Sequence, residues 1–437
     1  MERITIESYN RNGQEMELMM SIGYACIAVG LTDANQKSCI AKNASEAKLN
    51  ELIEHNLNAL EVMVDYNIEN NIKLFRISSD IIPFGSSPVN NLKWWENFES
   101  TFHRIGKKIK SIDMRVSMHP GQYTVINSLD EAVVNRAIVD LDYSARVLDS
   151  LGLSAKHKII LHIGGIYQDK TQAVQRFCVN YSRLNESVKR RLVIENDDKS
   201  YNILDVLEIG KCMEIPVVFD NLHNSVNPYD DNHSEVYWIN ECKKTWMEID
   251  GAQKIHYSQQ AQSKRIGSHS STIKINEFLK FYNQIEHDNI DIMLEVKDKN
   301  LSAIKCINCT SAERKIKTLE LEWSRYKYKV LECSQEHYLM VRRLLINKAD
   351  YPAIEFYNII EDALQKDINM ENSVNAAQHV WGYFKNKATE IEKRSCLKSI
   401  ELLKKGKISS KTTKNILWKM TMKYEEKYLL NSYYFDL

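Results

Sequence analysis

Six short apolar segments of this chain each run into a residue able to bind a metal ion. They end Met118-His119, Leu161-His162, Ile194-Glu195, Phe219-Asp220, Ile255-His256 and Leu294-Glu295; His223 follows Asp220 by three residues, and His269 lies in the loop after the fifth segment. Taken singly, a His beside an apolar strand is more often a hydrogen-bonded core residue than a ligand. Together, five His and three carboxylates at neighbouring segment ends crowd like charges into one cavity, where desolvation and repulsion penalise ionised carboxylates. Bound cations relieve that penalty. His with Asp and Glu, and no thiolate, suits Mn2+, Zn2+ or Fe2+. Eight donors exceed the needs of one four-coordinate ion, so the expectation is two or three divalent ions sharing bridging carboxylates. Such clusters serve phosphodiester hydrolysis, activating water and stabilising the departing oxygen.

These residues converge only if the segments that carry them lie side by side. Eight candidate strands recur along the chain: Ser21–Ala28, Ile72–Ser78, Arg115–Met118, Lys158–Ile163, Leu192–Glu195, Pro216–Phe219, Lys254–Tyr257 and Asp291–Leu294. Their near-continuous apolar character suits parallel strands covered on both faces. Stretches of helical spacing intervene. Glu51–Asn70 gathers Ile53, Leu57, Leu60, Val64 and Ile68 on one face, and Ala132–Leu151 gathers Val133, Ala137, Leu141, Ala145 and Leu148. Eight strand–helix units in about 300 residues predict an α/β fold, a closed (β/α)8 TIM barrel, in which strand C-termini open onto one mouth. An open doubly wound sheet calls for a glycine-rich turn after its first strand, and Gly23 and Gly30 do not form G-x-G-x-x-G.

From about Leu301 the β signals fade into helical patterns: Ala312–Val330, Ser334–Ile346, Pro352–Gln365, Ser373–Phe384, Glu390–Lys404 and Lys411–Tyr428. With the last barrel helix near Ala303–Leu321, the expected organisation is an N-terminal extension over 1–20, a barrel over 21–325 and an all-helical C-terminal domain over 326–437. The aromatics Trp323, Tyr326, Tyr328, Trp381 and Tyr383 stand at helical spacing and are expected to be core, with an accessory DNA-binding role the alternative.

Lys+Arg and Asp+Glu both total 58, so overall charge points to neither nucleic acid nor a membrane surface. The balance conceals an asymmetry: 34 basic and 41 acidic residues precede Leu301, while 24 and 17 follow from it. No run of 18 apolar residues occurs, and the N-terminal stretch lacks the apolar core of a signal peptide, which predicts a cytoplasmic protein. Nine scattered cysteines form no disulfide framework, and the Cys306-x-x-Cys309 pair has no second pair to complete a zinc site.

Two further features flank the ligand set. Lys254 precedes His256 by two residues, so both face the barrel interior, where a lysine can stabilise phosphate charge; a solvated strand-start residue is the plainer alternative. Gln122 and Tyr123 follow His119-Pro120-Gly121, and an amide and an aromatic at the mouth can displace or stack on a base.

At this level of detail the chain resembles the UV damage endonucleases, relatives of endonuclease IV and xylose isomerase. The resemblance runs from about Gly23 to Lys299. It rests on ordered matches including Gly23-Tyr24-x-Cys26, Phe75-Arg76-Ile77-Ser78-Ser79-Asp80, Ser117-Met118-His119-Pro120-Gly121-Gln122-Tyr123, Tyr143-Ser144-Ala145-Arg146, Leu161-His162-Ile163-Gly164-Gly165, Ile194-Glu195-Asn196-Asp197-Asp198, Asp220-Asn221-Leu222-His223, Lys254-Ile255-His256, Gly267-Ser268-His269 and Glu295-Val296-Lys297. It implies that His119, His162, Glu195, Asp220, His223, His256, His269 and Glu295 ligate a cluster usually occupied by manganese. It also implies catalytic roles for Glu195, Lys254 and His256, Lys254 matching a lysine chemically modified in at least one member. By the same resemblance Gln122 and Tyr123 probe distorted duplex, and Tyr24 is an aromatic at the lesion. Two departures stand out: Ala28, where some members carry an Asn that touches DNA, and Asp80, where some carry His, leaving it a ligand or an orienting residue. Lys264, Arg265 and Lys297 are candidate phosphate contacts near the mouth.

The implied activity is metal-dependent incision of duplex DNA immediately 5′ of UV photoproducts, leaving a 3′ hydroxyl, with damaged double-stranded DNA as partner and no obligate protein partner. Poorly stacked nucleotides cost less to extrude, which gives lesion selectivity without base-by-base readout. The nearest alternative is an endonuclease IV-like enzyme acting at abasic sites. A metal-dependent sugar isomerase of the same barrel group is weakened by the number of His ligands, and a non-catalytic lesion-binding protein by the completeness of the ligand set.

Overall fold

A computed structural model describes residues 20–230, 232–285, 289–312 and 314–437. All but the last residue of the expected N-terminal extension therefore lies outside the described residues. Eight strands, β1 (Ile22–Ala25), β2 (Leu74–Ile77), β3 (Arg115–Met118), β4 (Lys158–His162), β5 (Leu192–Glu195), β6 (Val217–Asp220), β7 (Gln253–Tyr257) and β8 (Ile290–Leu294), pair in sequence order into a closed parallel barrel. The β1–β8 register Ile22↔Ile292, Gly23↔Met293 and Tyr24↔Leu294 completes the ring. The (β/α)8 expectation is met. β1 stops three residues short of the expected end because Cys26 turns to φ 73, outside the extended region.

Strand alternation sorts the residues by face. Ile22, Tyr24, Phe75, Ile77, Val116, Met118, Ile159, Leu161 and Ile194 belong to the large core between strands and surrounding helices. Their neighbours in sequence face the lumen, where Ala25 packs with Leu74 and Met293, and Ile160 with Val193 and Val218. Below these apolar patches, near the strand starts, Arg115 pairs with Asp291 and Lys158 with Asp250. Above them, strand ends carry the candidate ligands. The lumen is thus stacked in layers, as a packed barrel requires.

The helices start where their caps allow. Ser45 accepts a hydrogen bond from Lys48 N and begins Glu46–Glu69; Asp130 accepts from Ala132 N and begins Glu131–Ser150. Both expected helices are therefore present, the first beginning five residues earlier than its apolar pattern suggested. No described helix is long and apolar enough to cross a membrane.

The C-terminal region is helical, with Ile316–Cys333, Gln335–Leu344, Ala353–Gln365, Met370–Trp381, Glu390–Lys404 and Ser410–Lys423 as its main elements. Residue 325 lies inside the first of these, and the last barrel helix is the separate Asn300–Thr310. Leu319, Tyr326, Val330, Phe356 and Tyr357 share the large core with barrel residues such as Leu301 and Ile304. Buried Lys305 reinforces that contact through a 2.7 Å ion pair with Glu361. A second core forms farther along, from Tyr328, Leu331, Val374, Ala377, Leu403, Leu417 and Tyr434. Tyr326 and Tyr328 are buried and Trp323, Trp381 and Tyr383 pack against the two cores, as their spacing predicts.

Gly23 explains one mark of the sequence. A Cβ built on it lies 1.9 Å from the Leu74 carbonyl oxygen, so a side chain there forces β1 and β2 apart at the barrel seam. Gly23→Ala is expected to lower stability by about 1–3 kcal/mol, read as a reduced urea midpoint; an unchanged midpoint contradicts the close approach.

Candidate metal centre

Glu195, the last residue of β5, stands at the middle of the mouth and is 1% exposed. One of its carboxylate oxygens, Oε1, lies 2.7 Å from His256 Nδ1 and 3.7 Å from His223 Nδ1. The other, Oε2, lies 3.4 Å from His119 Nε2 and 3.8 Å from His162 Nε2, with no hydrogen bond to it. Glu295, just past β8, is 3.4 Å from His256 Nδ1 and 3.8 Å from His269 Nε2. Asp220, the last residue of β6, caps the short helix Asn221–Val226 by accepting from His223 N, which brings His223 back over the ring. The structure brings together all eight expected ligand positions.

Two trios within this ring offer ligand atoms all within 4.8 Å of one another: His119, His162 and Glu195, and Glu195, Asp220 and His256. Glu195 belongs to both. Glu195 Oε2, Asp220 Oδ2 and His162 Nδ1, on residues of the same trios, are buried without hydrogen-bond partners. Leaving three such atoms unsatisfied is costly. A divalent cation that binds oxygen and imidazole would satisfy the two carboxylate oxygens, so the residues fit a metal centre.

Backbone contacts orient the imidazoles. His119 Nδ1 donates to Pro120 O at 3.1 Å and His223 Nδ1 to Asn196 O at 3.0 Å, which fixes both rings and leaves the neutral His119 a free lone pair on Nε2. Asn196, fully buried after β5, also exchanges hydrogen bonds with the Asp220 backbone, donating at 3.0 Å and accepting at 2.9 Å. On the far side Arg76 of β2 donates to His256 Nε2 at 3.1 Å and pairs with Glu295. A guanidinium only donates, so His256 carries its proton on Nδ1, toward Glu195, and would exchange one of these two hydrogen bonds for an ion in order to ligate it.

The charges are sharply polarised. Burial opposes ionisation of Glu195, yet His256 and His162 hold its carboxyl well below the usual range. Burial likewise opposes charge on Glu295, and Arg76 and His256 overcome it. Asp220 goes the other way, raised by burial and by Glu195 and Glu295. Burial drops His119 to about 4, whereas Asp220 and the two glutamates lift His223 to about 9 against the effect of burial. Lys254 is 1% exposed and lies about 6–7 Å deeper along β7 than His256. Burial and Arg115 push its amine well below the lysine range, against the pull of Asp291. It is not the solvated residue considered above, nor does its burial leave it open to a phosphate.

A family model, UV-endonuclease UvdE, matches residues 20–326. The chain belongs to the UvdE family. A second model, a protein of unknown function (DUF1722), matches residues 327–437. Among relatives of the UvdE barrel, the UV DNA damage endonuclease of Clostridium perfringens is 43% identical over 358 residues, covering 80% of this chain and 85% of its own. That of Bacillus cereus is 32% identical over 320 residues, 70% of this chain and all of its own. The crystal structure of SacUVDE superposes with a TM-score of 0.63 at 36% identity, covering 66% of this chain and 97% of its own.

Around this UvdE-type centre the remaining candidates separate by exposure. Gln122 and Tyr123 are the two central residues of a turn closed by Thr124 N donating to Gly121 O at 2.9 Å; Gln122 is exposed, and Tyr123 is 84% exposed. Lys264 and Arg265 are exposed in the loop after β7, which the Gln260↔His269 bridge ties to the ring, and Lys297 is exposed after β8. Asp80 is exposed and joins neither trio. Tyr24 requires a correction. It is 0% exposed, packs 5.1 Å from Phe75 and donates to Asn67 Oδ1 at 2.9 Å, because alternation on β1 turns Gly23 and Ala25 inward and Tyr24 outward under the first helix. No lesion can reach it there.

Sequence reasoning gave Arg76 and Asn196 no role. The signal for Arg76 was present: it is the one charge inside the apolar strand Leu74–Ile77. Arg76→Met removes the counter-charge of Glu295 and the donor to His256. Apparent Mn2+ affinity measured by calorimetry should fall about 10–100-fold, and an unchanged Kd would show that Arg76 does not orient the ring.

Proposed function

We propose that this protein is a DNA repair endonuclease that nicks duplex DNA immediately 5′ of UV photoproducts. The single observation that carries the chemistry is the buried ring centred on Glu195, with unsatisfied oxygens on Glu195 and Asp220. Membership of the UvdE family and 43% identity to a UV DNA damage endonuclease support the substrate.

His119, His162, Glu195, Asp220, His223, His256, His269 and Glu295 would hold two or three divalent ions, their mixed imidazole and carboxylate donors suiting Mn2+, Zn2+ or Fe2+, with Mn2+ the ion that the family likeness favours. Such ions supply an activated water and stabilise charge on the leaving 3′ oxygen. The chain's own groups prepare the site for that chemistry. Glu195 stays ionised and bridges the two trios. Arg76 orients the His256 ring and keeps Glu295 charged. Lys254, its uncharged form favoured by burial, belongs to the buried support of the ring.

Substrate selection falls to exposed loops. Gln122 and Tyr123 project from a tight turn directly after His119, an amide and a ring positioned to enter a poorly stacked site and occupy the place of extruded nucleotides. Lys264, Arg265 and Lys297 stand around the mouth as phosphate contacts and fix register without reading bases.

The test uses defined duplexes carrying one cyclobutane dimer, one 6-4 product, one abasic site or none, incubated with protein and Mn2+. The expected result is a single nick immediately 5′ of each photoproduct, absent with Glu195→Gln although that variant still retards damaged duplex in gel shifts. Incision confined to abasic duplex overturns the photoproduct reading, and undiminished nicking by Glu195→Gln overturns its role.

A further inference from the structure

The loop after β1 leads away from the metal ring toward the C-terminal helices. Its first residue, Cys26, is hydrogen-bonded through its backbone to Arg76 O at 2.8 Å, and Arg76 is part of the ring. Four residues on, Gly30 comes up against Tyr433 and Asp436, a Cβ there lying 3.5 Å from both side chains. Between this loop and the Ser410–Lys423 helix lies a cleft of about 370 Å³. Ile27, Thr32 and Asn35 line one wall, and Lys414, Asn415 and Trp418 the other. The cleft therefore begins one residue from the mouth of the barrel and ends on the region matched by the model of unknown function.

The helix that forms the far wall is basic, although Lys414 is its one lysine lining the cleft. The helix Ser410–Lys423 carries Lys411, Lys414, Lys419 and Lys423 and no acidic residue. Lys414 is neutralised by Glu332 at 2.6 Å and Lys423 by Glu392 at 2.7 Å. Lys411 and Lys419 are exposed and have no ion-pair partner among the described residues. Helical spacing sets Lys411, Asn415 and Trp418 in one row, with Lys419 at its border, while Thr413, Leu417 and Met420 turn into the core. Trp418 is held against Phe435 at 5.0 Å, so the row is rigid. Asp436 is the one carboxylate lining the cleft, and Lys414 is the charge that bears on it.

We propose that this cleft takes the sugar-phosphate backbone of one strand of the DNA flanking the incision site, making the C-terminal helical region a second anchor for duplex. The inference rests on the endonuclease reading above. The cleft is within the size range of small-ligand sites and too small for a whole duplex, but it admits one strand's backbone. Within the lining the Asn35 and Asn415 amides can donate to phosphate oxygens, with Lys411 and Lys419 exposed on the same wall helix beyond it, while Trp418 and Ile27 offer apolar surface to the sugars. Continuity with the barrel mouth supplies the geometry: duplex engaged at the metal ring needs to extend only past Cys26 and Ile27 to meet the helix. An anchor of this kind adds affinity without sequence preference and offsets the acidic excess of the first 300 residues.

The double variant Lys411→Ala/Lys419→Ala in the full chain tests it, because neither residue belongs to the metal ring or its supports. Binding of lesion duplexes of about 12 and about 30 base pairs is measured over a range of salt. Wild type is expected to bind the longer duplex more tightly. The variant should lose about ten-fold on the longer duplex, with a salt slope shallower by about 2, and keep wild-type turnover on saturating short duplex. The charge-reversed pair Lys411→Glu/Lys419→Glu should weaken long-duplex binding further. Unchanged long-duplex affinity and salt slope in both variants overturn the anchor while leaving the endonuclease reading standing. Failure of wild type to incise any lesion duplex would instead sink the reading on which the anchor rests.

Discussion

An ionised carboxylate removed from water is destabilising by several kcal/mol unless opposite charge and hydrogen bonds surround it. Glu195 meets that condition in an unusual way, with four imidazoles within 3.8 Å and one oxygen still without a hydrogen bond. Everything at the mouth follows from holding that group in place. Asp220 and Glu295 add like charge, so Arg76 enters from β2 to balance one of them, and His223 is lifted to about 9 by their combined field. Protein groups alone leave Glu195 Oε2 and Asp220 Oδ2 without hydrogen-bond partners, which a divalent cation held there would supply.

The barrel makes such a ring possible because its strands are pinned on both faces. A large core fixes the outward residues, small apolar patches fill the lumen, and ion pairs hold the strand starts. Ligands on strand ends inherit that rigidity, whereas Gln122 and Tyr123 sit on a turn with little packed around them. The division suits a reaction in which metal geometry is constant and the shape of the nucleic acid varies.

Much of this was legible in the sequence. Strands covered on both faces read as plain apolar runs, and their terminal His, Asp and Glu announced the ring before any distance was known. What stayed hidden has physical causes. The early end of β1 comes from a left-handed turn at Cys26 that residue type does not signal. Tyr24 was misplaced because family likeness was followed where the two-residue alternation with Gly23 and Ala25 pointed outward. Arg76 carries no ligand signal, because a guanidinium cannot ligate and acts only by orienting His256 and pairing with Glu295. The helical region gave its elements but not its packing: pattern cannot tell that the Ile316–Cys333 helix shares the barrel's core while the Ser410–Lys423 helix belongs to a second one.

The central claim is that Glu195 bridges metal ions in a ring built from strand ends. Anomalous diffraction at the manganese edge, from crystals grown with Mn2+, tests it most directly. The account predicts at least two peaks within coordination distance of Glu195, with His119 and His162 on one and Asp220 on another. A single peak away from Glu195, or none at the barrel mouth, would contradict it.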